Sequence, residues 1–128
     1  MVESALVLFL FLFVMIGIVD MGTILFTYQG LVQRVQAGAR YGIVNSYDDE
    51  KIRNVVAYGD PEGGTNPFFG MNKELISVQS NELDNQISRV QVYIDNYPMH
   101  LFTPFVSGAF TLPRIGATFT TESEGATT

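Results

Sequence analysis

The chain has 128 residues, 13 acidic and 7 basic, for a net charge of −6. That is room for one domain plus an appendage, and scattered basic residues in an acidic chain leave no electrostatic footprint for nucleic acid. Cysteine is absent, which excludes a disulfide framework and thiolate metal sites.

Much of the 47% hydrophobic share sits in the first third, while most charges follow Arg34. Ser4 to Val19 carries no charge. Counting on to Tyr28 gives about 25 residues, roughly 37 Å of helix, and a bilayer core of about 30 Å needs around 20 apolar residues. A core helix of a soluble protein is the first alternative. It fails because the remaining 85 or so residues cannot wrap a helix that is apolar all round. A secretory signal is the second, but nothing basic precedes the run and helix-compatible sequence continues past it. Basic residues follow the run at Arg34, Arg40, Lys51 and Arg53. Alone, the positive-inside rule would place the C-terminal part in the cytoplasm; a basic leader, present at insertion and later removed, would resolve this.

Two acids stand where acids are costly. A carboxylate at a bilayer centre costs about 2.5–3.5 kcal/mol and usually has a partner. Glu3 begins the apolar run and has two readings: a first-turn acid favoured by the helix dipole, or an assembly contact with a neighbouring copy's N-terminal amine. Asp20 lies off-centre, at the interface by snorkelling or as a second assembly contact. Phe9, Phe11 and Phe13 are the expected packing knobs of the run.

No proline occurs before Pro61, and helical periodicity continues from Gln29 to Val44. Leu31, Val35, Gly38 and Gly42 share one face, with Gln29, Gln33, Gln36 and Arg40 opposite. The Gly38–Gly42 pair has small-xxx-small spacing. It suits either close pairing with a second helix or a seat for the chain's own head. One helix from Ser4 to Val44 would be roughly 60 Å long, with Gly17, Gly22 and Gly30 as places where it can bend.

Asn45 to Asp48 ends this stalk. Ser46 followed by Asp49 predicts the start of a second helix, with Ile52, Val55 and Val56 on its apolar face and Gly59 as its stop. The acids at Asp48, Asp49 and Glu50 lack the spacing of a calcium loop and suit a first helical turn. Gly59 to Gly70 is a loop by composition and lacks the GK[ST] of a phosphate cradle. Alternation predicts strands over Leu75–Ser80, Ser88–Tyr97 and about Arg114–Glu122. The middle strand turns Val90, Val92 and Ile94 inward, and Asn81 to Asn85 joins it to the first. Pro98 to Pro113 is an apolar connection whose prolines permit only a short turn of helix. It is expected to close the sheet against the stalk, with Gly108 at a turn and a frayed tail after Glu124. The fold class is therefore α+β: a long N-terminal helix and stalk over residues 1–45, then a small head over 46–128 with about three antiparallel strands and one short helix.

His100 is the only histidine and adjoins an apolar stretch. With no cysteine and no nucleophile motif, catalysis would rest on dispersed carboxylates. No catalytic, metal or cofactor residue is assigned.

MVESALVLFLFLFVMIGIVDMG at the N-terminus and QAGARYGIVN at the end of the stalk resemble the TadE-like proteins of tight-adherence (Tad) pilus systems, relatives of the type IV pilins. ISRVQVYIDNYPMHLFTPF and the closing RIGATFTTESE fit the same pattern. The resemblance implies a pilin-like fold and a substrate of prepilin peptidase, held as a single-pass protein in the inner membrane. Pilus assembly machinery would then draw it into an extracellular filament of identical subunits, a helical homopolymer. The family's glutamate corresponds to Glu3, although that acid usually lies a few residues further from the mature start. The alternative is a membrane-anchored minor pilin or adaptor that does not polymerise by itself.

Overall fold

The computed structural model describes residues 1–83, 86–101 and 110–120. One helix dominates: α1, Val2–Val44. It holds no proline and ends where the Asn45 backbone N–H donates to Tyr41 O at 2.9 Å while Asn45 turns extended. A second helix, α2 (Asp49–Tyr58), follows a four-residue connection, Asn45 to Asp48. Its cap is Asp48, whose Oδ1 accepts from the Glu50 and Lys51 backbone N–H groups at 3.1 and 3.3 Å. The Ser46 expected in that role lies too far upstream, and a carboxylate gains extra from the helix N-terminal dipole. Gly59 stops α2 in the left-handed region, φ 82°, with the Arg34 side chain occupying the space a Cβ would need.

The sheet consists of β1 (Ile76–Leu83), β2 (Gln86–Ile94) and a strand Ile115–Thr120, here β5, in the order β1-β2-β5 and antiparallel throughout. The first two form a hairpin whose pairing closes at Leu83 opposite Gln86, with an irregularity between Asn81 and Glu82. The α+β arrangement expected from the sequence is present. Alternation in β2 holds: Val90, Val92 and Ile94 are buried while Arg89 is exposed. Along β5 burial fades from Ile115 through Ala117 to an exposed Phe119.

Between β2 and β5, Pro98–Met99 (β3) pairs with Phe110–Thr111 (β4) as a two-stranded antiparallel ribbon. The turn expected at Gly108 lies outside the described residues, and the described residues of Pro98 to Pro113 do not include the short turn of helix expected within that connection. Thr121, Glu122 and the tail also lie outside the described residues.

The core forms where the second half of α1 meets everything else. Leu31, Val35 and Ala39 of α1 pack with Ile52 and Val56 of α2 and with the inward side chains of the sheet. Met71, Tyr97, Met99 and Leu112 extend that core into the connecting segments. Half of the helix is thus structural to the head. The other half has no such cover.

Candidate assembly surface

Every residue from Met1 to Val19 is exposed. The most apolar 18-residue window of α1 has none of its residues buried within the chain, and by length and composition α1 can cross a membrane. Fifteen large apolar side chains are left uncovered along that stretch, among them Phe9 (69% exposed) and Phe11 (58%). Transferring such a side chain out of water is worth about 1.5–3 kcal/mol. Even at half that value, fifteen of them outweigh a small domain's whole stability, on the order of 5–15 kcal/mol. This segment needs an apolar surrounding that its own head does not supply.

The expected assembly residues divide into four groups. Glu3 lies exposed in the first turn of α1 and shares a shallow face with Val7, Leu8 and Phe11. Phe9, Phe11 and Phe13 project from the uncovered stretch, Phe13 being 46% exposed. Asp20 is buried, at 8% exposure. Gly38 and Gly42 lie under the head. A Cβ on Gly38 would overlap Val56 Cγ2, and one on Gly42 would come within 2.8 Å of Ile52 Cδ1 and 3.2 Å of Val90 Cγ1. At both positions side chains of α2 or β2 lie close to the backbone of α1, so their small size is used inside the protomer.

An aromatic clip at the boundary between the covered and uncovered halves was not anticipated. The loop after α2 is held by Asn54 Nδ2, which donates to Pro61 O at 3.0 Å. It then returns to α1 through the 3-10 turn Phe68–Gly70, in which Phe69 adopts a left-handed backbone, φ 51°. Phe69 meets Phe26 edge-on at a centroid distance of 6.0 Å, and the Arg34 guanidinium sits 4.6 Å above Phe68. Gly30 makes room: a Cβ there would lie 3.1 Å from the Phe68 ring. Tyr97 locks the turn by donating its hydroxyl to Phe69 O at 2.6 Å. Burial pushes the Tyr97 pKa up, since the charged form would lose solvation. Glycine and proline in this loop announced only irregular backbone; the pair Phe68–Phe69 was the one signal that it folds back.

On the far side of the sheet, Arg114 joins β5 to the end of β2 through both oxygens of Asp95, at 2.6 and 3.3 Å. Hydrogen bonding to Asp95 first, then its charge, raise the Arg114 pKa. Among the described residues no three His, Asp or Glu side chains come together as a metal site.

The decisive observation is a helix apolar and exposed over its first half and docked over its second. Residues 1–40 match the family model of the TadE-like proteins. The match makes this segment similar to TadE-like proteins over less than a third of the chain. It covers the uncovered half of α1 and most of the docked half, and ends four residues before Val44. The C-terminal residues that carry part of the resemblance lie beyond it. No curated protein and no solved structure matches the chain.

Proposed function

We propose that the protein is a structural, pilin-like subunit. The uncovered half of α1 holds it in the inner membrane and then packs against the same segment of identical copies in an extracellular, Tad-type filament. The observation that carries this reading is the exposure of every residue from Met1 to Val19 beside a head that is itself folded. Lipid and sister helices are the two surroundings that satisfy such a segment. Identical subunits related by a non-closing operator form helical filaments. In that packing Phe9, Phe11 and Phe13 supply dispersion contacts, and Glu3 pairs with a cationic group of a neighbouring copy. Gly38 and Gly42 serve assembly indirectly, by holding the head on the stalk. Prepilin peptidase and the Tad machinery would process and extrude the subunit. In the alternative role, as a minor pilin or adaptor, the same segment stays in lipid.

Electron microscopy of material sheared from cells tests the filament role. Thin fibres containing this chain as the principal band support it, and recovery from membrane fractions alone refutes it in favour of the minor-pilin role. Glu3→Ala should lower incorporation into fibres while leaving membrane insertion intact; an unchanged fibre yield would remove Glu3 from assembly.

A further inference from the structure

We infer that the aromatic end of the head, built around Phe69 and Phe26, is a lipid-contacting surface that seats the head in the headgroup zone of the bilayer before assembly. The inference rests on the membrane-held state proposed above and adds a second point of attachment to it.

Position is the first argument. If Val2 to Met21 fills the hydrocarbon, it spans about 30 Å. Phe26 then lies about 7 Å further along the axis, within the headgroup layer. Side chains on a helix lean toward its N-terminus, so Phe26 points back toward the lipid. Phe26 is 69% exposed and Phe69, which touches it, is 41% exposed. Tyr28, on a different side of α1, is also exposed, so aromatic rings stand on more than one side of the helix at this level.

Chemistry is the second. A groove of about 360 Å³ opens beside the clip, between Thr23 and Thr27 of α1 and the Phe69–Gly70 turn, with Tyr97, Met99 and His100 on its far wall. None of its ten lining residues is Asp, Glu, Lys or Arg. Apolar rings mixed with uncharged hydroxyl and amide groups are the composition that an interface of acyl chains and headgroups accepts. Phe69 is also held in place: its left-handed backbone is fixed by the Tyr97 hydroxyl. A ring fixed and left exposed is ready to contact something, and the continuous apolar helix beside it makes the lipid surface its nearest partner.

The chain has no tryptophan, so a single introduced one reports its own surroundings. Full-length Phe69→Trp, Phe11→Trp and Phe119→Trp variants would be reconstituted in phosphatidylcholine vesicles. The lipids would carry bromine either close to the headgroup or near the acyl-chain ends. Phe119 is the control: it pairs with Val90, which packs at Gly42, about 24 Å further along α1 than Phe26. The expected result is quenching of Phe69→Trp chiefly by the shallow bromines, of Phe11→Trp chiefly by the deep ones, and of Phe119→Trp by neither. Quenching of Phe11→Trp without quenching of Phe69→Trp overturns the seated head and leaves the membrane-held state standing. Equal quenching of Phe69→Trp and Phe119→Trp also overturns it, because contact would not be specific to this end. An unquenched Phe11→Trp variant removes the membrane-held state and the inference together.

Discussion

Replacing Gly38 by alanine is the sharpest perturbation of the junction between rod and head. The added methyl would fall inside 3.0 Å of Val56 Cγ2 and 3.5 Å from Ile52 O. Val56 and Ile52 are both fully buried, so neither side chain has space to turn away. Relief requires α2 to back off from α1 by about 1 Å, opening contacts along the whole face it shares with the core. Overpacking of this kind costs about 1–3 kcal/mol, and the better helix propensity of alanine returns up to about 1 kcal/mol. The head should lose about 1 kcal/mol net, which for a domain this small lowers Tm by roughly 4–8 °C. Thermal unfolding of the detergent-solubilised chain, followed by near-UV circular dichroism of its tyrosines, measures this. Gly17→Ala is the control: nothing lies within 4 Å of its Cβ position, so head unfolding should not change. A Gly38→Ala head as stable as the parent would refute the close seat of α2 on α1.

Asp48→Ala removes the side-chain acceptor for two N–H groups at the start of α2 and should cost about 1 kcal/mol in the same assay; Ser46→Ala should cost almost nothing. The phenol of Tyr97 is held neutral by burial and donates to Phe69 O. Its folded pKa is therefore raised above the unfolded value of about 10. The stability linked to this shift is fully present below pH 10 and is lost as pH rises through the higher folded pKa. Tyr97→Phe should flatten that part of the alkaline loss. Identical alkaline titrations of stability for the two would contradict the assignment.

Periodicity made several elements legible because burial repeats with the backbone. The 3.6-residue spacing through Val44, the left-handed stop at Gly59 and the alternation of Val90, Val92 and Ile94 all appear where the pattern puts them. The ribbon of Pro98–Met99 with Phe110–Thr111 was not legible, since two residues per strand are too few to show alternation. Gly38 and Gly42 advertise close approach without saying to what, and the partner turns out to include α2 of the same chain. Asp20 reads from sequence as a charge at a membrane edge or an assembly contact, and its 8% exposure is set by tertiary packing that periodicity does not show. The clip at Phe68–Phe69 lies in a loop whose glycines and prolines carry no period, so its return to Phe26 and Gly30 depended on tertiary contacts alone.

Sedimentation of the full-length chain in buffer without detergent or lipid tests most directly whether the first half of α1 must be sheltered by something outside the protomer. The expected outcome is recovery in fibres or aggregates, and in the vesicle fraction once lipid is added. A dispersed 14.2 kDa monomer that keeps the full helical circular-dichroism signal of α1 in water would contradict the account.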